Sequence, residues 1–427
     1  MYRNILILLC FPILLHAQDG REMSTLFDSL RTNPHIRSDE ILMEHALLGK
    51  SMANSKLFPK LDAFGTYDYA NTPSGMLPIA PNDLFVMIKD QNIAQPFSQN
   101  IFRAGAAISM PVFVKSIYTM AAKAKMMYLS AEIKWEIDLL KNEAVIVSSN
   151  ANLQYMDALE QALDKKRASL ETVRELVNMK VNNGRAPESA LLKIKNGINE
   201  IDLMRNEVAL NREKAIAAIF TLTGVRLEKP IPMEQTGTYA DGEFRVLAPL
   251  QKKIEATELG VRAEKEKLYP ALLLHGNYNH SYAMSYNNNL AVNEDYATVG
   301  LVLKIPLFEK SQYVKIKQSK LDALDLQNEL DKMRMDFAAQ AQQLENSLTL
   351  LDASIKLYES SVKDKEELLR IAKVAYGTDR MTIEDYLKYE DDLLLEKSKL
   401  YKVQAQKWQT LMKLAVIYGN KIEEIVK

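Results

Sequence analysis

Few groups of side chains in this sequence are spaced to do chemistry. Gly49-Lys50-Ser51 comes nearest to a phosphate loop, but that loop needs a glycine five positions earlier and the chain has Glu44 there. One helical turn is the better reading. His35, His45, His275 and His280 show no spacing, with each other or with carboxylates, that would seat a metal. His275 and His280 suit the lumen or rim of a β-barrel. The only cysteine, Cys10, lies in an apolar N-terminal stretch, so the exported chain is expected to have no thiol nucleophile, disulfide or Cys-ligated metal. Asp391-Asp392 and Lys363-Asp364-Lys365-Glu366-Glu367 read as solvated helix faces with i,i+4 pairing. No enzyme activity and no cofactor is expected.

The composition bounds the class. The 427 residues are 47% hydrophobic and 26% charged, with 54 basic against 55 acidic side chains. Those values suit a folded protein and exclude a disordered or nucleic-acid-coating one. Gly (15) and Pro (14) are scarce, which favours long uninterrupted elements. Residues 1–18 run from Arg3 through an apolar stretch to His16-Ala17-Gln18, a secretory leader with cleavage expected after Ala17. Its apolar part is too short to span a bilayer, and no other stretch approaches the roughly 20 apolar residues a membrane helix needs. A membrane role must come from strands or from a partner.

The elements that position side chains emerge when the chain is compared with itself. Leu48-Gly49, Lys56-Leu57-Phe58-Pro59, Gly65 and Tyr67 recur as Leu259-Gly260, Lys267-Leu268-Tyr269-Pro270, Gly276 and Tyr278, all at an offset of 211. Gly105, Pro111, Phe113 and Gly224 recur as Gly300, Pro306, Phe308 and Gly419 at an offset of 195. The 16-residue difference falls in one loop.

Each copy has a helical lead-in, two strands and two helices. Leu272, Leu274, Gly276 and Tyr278 alternate with Leu273, His275 and Asn277, and Ala297, Val299, Leu301 and Leu303 alternate with Thr298, Gly300, Val302 and Lys304. Copy one offers Leu61, Ala63, Gly65 and Tyr67, then Phe102, Ala104, Ala106, Ile108 and Met110. Segments of about 10 residues with one apolar and one small or polar face carry the weak signature of transmembrane β-strands. Residues 69–100 and 279–296 are then external loops, with Asn287-Asn288-Asn289 in an exposed turn.

Helix follows Pro111 and Pro306. Residues 310–376 contain no proline or glycine, and Leu326, Leu330, Met333, Phe337, Gln340, Leu344, Ser347, Leu351 and Ile355 step by threes and fours, with Gln340 and Ser347 out of place in an otherwise apolar coiled-coil seam that needs a partner. The runs break at Gly184 and Gly377, and Thr382-Ile383-Glu384-Asp385 resembles a capping box.

Four membrane strands in one chain leave two bare edges, so copies must assemble to close a barrel of at least eight strands. Strand arithmetic alone does not choose two, three or four copies.

This duplicated order, with its Leu-Phe/Tyr-Pro strand entrances, Pro-Val/Leu-Phe strand exits and glycine-centred tips, resembles the TolC-type outer-membrane efflux proteins over nearly all of the exported chain. The resemblance implies a mixed α/β membrane protein: long α-helical coiled-coil hairpins plus four transmembrane β-strands per chain, forming a homotrimer with a twelve-stranded barrel in outer-membrane lipid and a periplasmic α-helical tunnel.

It implies the outer channel of a tripartite efflux or type I secretion system in a Gram-negative envelope, docked on a membrane-fusion adaptor and an inner-membrane pump of RND or ABC type. The adaptor contacts map to Asn183, Gly184 and Arg185, and to Tyr376, Gly377 and Thr378. Asn183 and Arg185 depart from the family's apolar tip. The family's gate has polar and charged residues near the tip, so Asp379 and Arg380 are candidates for it, the alternative being that they are solubilising loop residues.

The expected order is a leader (1–17), N-terminal helices (18–58), first β-hairpin (59–113), first helical hairpin (114–224), link (225–246), lead-in helix (247–269), second β-hairpin (270–308), second helical hairpin (309–419) and tail (420–427). The rival class is a non-channel periplasmic adaptor or scaffold, which carries one helical hairpin between glycine-rich β domains rather than two hairpins between paired strands.

Overall fold

The computed structural model describes residues 22–427 except 77, 80, 91 and 379, and not the side chains of 81, 83, 88 and 384. The leader expected at residues 1–17 lies outside the described residues. The elements in order are α1 (Met23–Arg31), α2 (Pro34–Ser55), β1 (Lys60–Gly75), α3 (Pro81–Lys89), β2 (Phe97–Phe113), α4 (Lys115–Asn182), α5 (Glu188–Thr223), α6 (Ala248–Glu266), β3 (Ala271–Met284), β4 (Ala291–Lys304), α7 (Lys310–Gly377) and α8 (Ile383–Tyr418). Long helices plus four strands is the fold class expected. Among the described residues no helix is long and apolar enough to cross a membrane.

The duplication holds at the level of residues. Helices α4 and α7 have 68 residues each and α5 and α8 have 36 each, with every start and end offset by 195. The chain divides into two compact units. One holds the chain up to Glu40, Lys134–Val246 and Arg334–Lys427; the other holds Ile41–Ile133 and Leu247–Met333.

The first unit is helical and has a continuous core. Helix α1 buries Met23, Leu26, Phe27 and Leu30, one stripe at helical spacing. They meet Ile146 and Val147 of α4, Ile216 and Ile219 of α5, and Leu411, Met412 and Ala415 of α8. The link between the copies joins this core through Leu227 and Ile231, and its Glu234 exchanges both backbone hydrogen bonds with Lys427, at 3.0 and 3.1 Å. Link and tail thus close on each other, burying Ile422, Ile425 and Val426.

One acid lies in that core. Glu143 is 3% exposed. Burial pushes its carboxyl up to about 7; Glu423 adds to the rise, and Arg31 partly opposes it. A carboxyl raised in the folded state stabilises fully below its unfolded value, and that contribution is lost as pH rises through about 7. Glu143→Gln should therefore change little at pH 5 and stabilise by on the order of 3 kcal/mol at pH 8. Thermal unfolding in detergent at both pH values checks this; an equal effect at the two would refute it.

In the second unit helices α4, α6 and α7 are tied to one another by side-chain hydrogen bonds. Glu266, buried at the end of α6, accepts from Thr119 and from Arg262 (3.1 Å). Gln312 donates to the Glu264 backbone at 2.7 Å and to its carboxylate at 2.8 Å, and Ser130 donates to the Pro249 carbonyl at 2.7 Å.

Candidate functional site: sheet edges and hairpin tips

The four strands form one antiparallel sheet in sequence order, β1-β2-β3-β4. Its register stacks residues of like character. Leu61, Ile108, Gly276 and Val299 share a row, as do Ala63, Ala106, Tyr278 and Ala297. Between these rows on the opposite face lie Asp62, Ala107, Asn277 and Thr298. Side chains alternate sides along a strand, so this register makes one face apolar and the other polar across all four strands.

The apolar face has aromatic margins. Tyr67, Phe102 and Tyr282 share a row near one end, with the Tyr67 and Phe102 rings 4.8 Å apart, and Phe113 lies near the other. At roughly 3.3 Å per residue and a tilt of roughly 40°, the stretch between Phe102 and Phe113 spans on the order of 25 Å, the height of a barrel's apolar band. Val299 on this face is 82% exposed, yet it sits mid-strand. Among the described residues, strands β1 and β4 each keep one edge without a strand partner.

The polar face carries the ion pair of Arg103 with Asp68, and His275 opposite Ser109 and Gly300. His280 is different. Its row places it on the apolar face near the aromatic margin, where its ring bonds Asp295 at 2.9 Å and the Tyr278 hydroxyl donates to the same carboxylate at 2.7 Å.

The external loops are shorter than expected. Strand β1 runs to Gly75 through a register shift after Tyr69, β2 begins at Phe97, and the connection contains α3. Asn287 and Asn288 do not sit in a free turn: their side-chain amides donate to the carbonyls of Ile93 (3.0 Å) and Asn92 (3.2 Å), tying one loop to the other. Met76 and Ala94 pack with Ile101, Ala283 and Val292 at the same end of the polar face.

In the helical unit the first tip closes with a Schellman motif. Arg185 N–H donates to Lys180 O at 2.8 Å and Gly184 N–H to Val181 O at 2.9 Å, with Gly184 at φ +69°. Asn183, Gly184 and Arg185 are exposed. The second tip differs from the glycine-centred break read from the sequence. Gly377 is the last residue of α7 and has no positive φ, Tyr376 is half-buried in the helix, and Thr378 and Arg380 are exposed. Arg380 N–H donates to Ala375 O at 2.9 Å, the counterpart of the Arg185 bond. Position 379, the repeat equivalent of Gly184, is the candidate gate residue Asp379 and lies outside the described residues. Helix α8 then starts as expected, with the Thr382 hydroxyl accepting from Asp385 N–H at 3.2 Å and donating to its carboxylate at 2.7 Å.

The two glycines should therefore respond differently to alanine. Gly184→Ala forces a side chain into the left-handed region and is expected to cost about 1 kcal/mol. Gly377→Ala, in helix and with open space around it, is expected to gain up to about 1 kcal/mol. Equal losses in unfolding temperature would contradict the assignment.

The tips are locked together by contacts that sequence spacing does not reveal. Tyr376 stacks on Tyr386 at 5.4 Å with Lys180 over its ring, and Ser169 of α4 donates to Glu390 of α8 at 2.5 Å, within hydrogen-bond reach of the Tyr386 hydroxyl (3.1 Å). Burial, then the bond to Glu390, pushes the Tyr386 hydroxyl up to about 12. The charge runs expected to be solvated faces instead join helices: Asp391 pairs with Lys166, Glu366 with Lys397, and Lys365 with Glu396 at 3.4 Å. Just beyond the tip, Arg380, Asp385, Lys388 and Asp392 line an open cleft of about 680 Å³. Among the described residues no group of three or more His, Cys, Asp or Glu is placed to hold a metal.

No protein-family model matches the chain, and no curated relative does. Solved structures do. The Campylobacter jejuni CmeC outer membrane channel superposes with a TM-score of 0.76 at 17% identity, covering 93% of this chain and 85% of that one. The Vibrio cholerae outer membrane protein VceC gives 0.75 at 14% identity over 93% and 97%. The open state of the Neisseria gonorrhoeae MtrE outer membrane channel gives 0.72 at 14% identity over 93% and 89%. Over nine-tenths of its length this chain has the fold of TolC-type outer-membrane channel proteins.

Proposed function

We propose that this chain is one subunit of an outer-membrane conduit: a homotrimer whose twelve strands close a barrel in outer-membrane lipid and whose helical hairpins form a tunnel in the periplasm. The observation that carries this is the sheet, which has one apolar face about as tall as a bilayer core and two long edges with no strand partner among the described residues. Unpaired backbone polar groups cost several kcal/mol each in hydrocarbon, so such a sheet is stable in lipid only when other strands cover both edges. The polar face then lines a water-filled passage. Substrate passes passively, as the outer part of a tripartite efflux or type I secretion system, with selectivity supplied by an RND or ABC pump in the inner membrane. The adaptor would meet Asn183, Gly184 and Arg185 at one tip and Tyr376, Gly377 and Thr378 at the other.

Reconstitution into planar bilayers tests this reading: discrete conductance steps are expected, from a species that fractionates with the outer membrane and runs as a heat-sensitive oligomer. Release as a soluble monomer would favour the adaptor or scaffold class. Asp379 and Arg380 are the proposed gate, and the double variant Asp379→Asn/Arg380→Gln is expected to raise single-channel conductance. Unchanged conductance would remove both from the gate.

A further inference from the structure

We infer that a second copy of this chain completes the sheet in one fixed register, with β4 of one copy antiparallel to β1 of the next and Leu303 opposite Gly65. This rests on the assembly proposed above and specifies its seam.

The internal repeat determines the register. The offsets of 211 and 195 carry the first hairpin onto the second pair by pair: Lys60 opposite Ser109 becomes Ala271 opposite Lys304, and Leu61 opposite Ile108 becomes Leu272 opposite Leu303, which are the pairs the structure contains. The seam between the repeats is β2 against β3, with Ile108 opposite Gly276 and Ala107 opposite Asn277. Exchanging the repeats turns Ile108 into Leu303 and Gly276 into Gly65. The same seam, written between two copies, therefore places Leu303 opposite Gly65, Val302 opposite Thr66 and Leu301 opposite Tyr67. Leu303 and Leu301 then share the apolar face with Gly65 and Tyr67. A slip by one residue would set each of them on the polar side.

Three features of the single chain are incomplete where this seam would complete them. An added Cβ at Gly276 would lie 2.8 Å from the Ile108 methyl, whereas at the equivalent Gly65 nothing lies nearer than 3.9 Å. Strand β2, paired with β3, runs on through a bulge to Phe113, but β4 stops at Lys304 and leaves Leu307 and Phe308 91% and 80% exposed. In the helical unit α8 meets α4 through Glu390 and Ser169, and Val173 of α4, in the cluster that holds Tyr386 of α8, is 5% exposed, while the equivalent Leu368 on α7 is 47% exposed. By the same exchange, α7 awaits α5 of the next copy, whose Leu192 is 56% exposed where its equivalent Leu387 packs into the core. All three are satisfied by the seam already present inside the chain.

Paired cysteines test the register, because Cys10 is the only native cysteine. The full chain carrying Thr66→Cys with Val302→Cys is oxidised with copper phenanthroline in isolated membranes and run without reductant. A ladder of covalent oligomers is expected, at least tenfold stronger than from Thr66→Cys with Lys304→Cys, which is two residues out of register on the same face. Ala107→Cys with Asn277→Cys, the equivalent pair inside the chain, is the internal control and should lose both thiols within a monomer. A stronger ladder from the offset pair would overturn the register and leave the assembly standing. No ladder from either intermolecular pair while the internal control reacts would overturn both.

Discussion

Gly105→Ala is expected to remove nearly all heat-sensitive oligomer from the membrane, with the chain recovered as unassembled monomer. Gly105 lies in β2, paired on one side with Phe64 of β1 and on the other with Asn279 of β3. A Cβ there would fall 2.0 Å from the Tyr278 carbonyl oxygen, 2.9 Å from the Phe64 ring and 3.0 Å from the Asn279 side chain. The first of these is backbone held in a ladder and cannot turn aside, so strands must separate. Overpacking of this kind costs about 3 kcal/mol or more. Gly276→Ala is the informative comparison. Its nearest neighbour is a methyl of Ile108 at 2.8 Å, a side-chain end that can shift, so a partial loss is expected. The yield of oligomer on unheated gels separates the two; equal yields would show that the close approach at Gly105 is not limiting.

Val299→Arg should be the most damaging single charge in the sheet, and Thr298→Arg, one residue away, should be close to neutral. Val299 lies mid-strand on the apolar face in the row of Leu61 and Ile108, while Thr298 lies on the polar face in the row of Asp62 and Asn277. If the apolar face meets hydrocarbon, an arginine at the midplane costs about 2–4 kcal/mol per copy, whereas one on the lumen side stays hydrated. Urea unfolding in phospholipid vesicles measures the difference. If both variants unfold at the same urea concentration, the faces are misassigned.

The sequence disclosed the duplication because each repeat keeps strong local markers: Phe58-Pro59 and Tyr269-Pro270 at strand entrances, and Gly224 and Gly419, where the long returns end in a left-handed residue. The strand faces were legible for the same local reason, since a two-residue alternation requires no knowledge of what lies beside it. What failed needed partners distant in sequence. Asn71, Pro73 and Ser74 look like a loop, but β1 is an edge strand, where Pro73 at a register shift forfeits no ladder bond. The helix in the first connection did have a local sign, proline at its first position, which the cluster of prolines around it obscured. The Asp391 pair with Lys166 crosses 225 residues, so the charge pattern alone read as solvent-facing. Gly377 could not be told from a helix-ending glycine because both occur at the end of an apolar run; only its dihedral angle, set by the turn after it, separates the cases. Of the candidate site, the tips' location was readable and their mutual locking through Tyr376, Tyr386 and Ser169 was not.

The equal lengths of the paired helices constrain how such a chain can change. One residue inserted into α4 between Lys134 and Val173 would advance the tip by about 1.5 Å and rotate it by roughly 100°. Val173 and Val177 would turn out of their cluster and Lys180 would leave the Tyr376 ring. The same insertion in α7 would do matching harm from the other side. Growth or shrinkage of these hairpins should therefore require matched edits, made in both repeats and in both arms, and a lone insertion or deletion in any one of the four helices should be rare among natural variants.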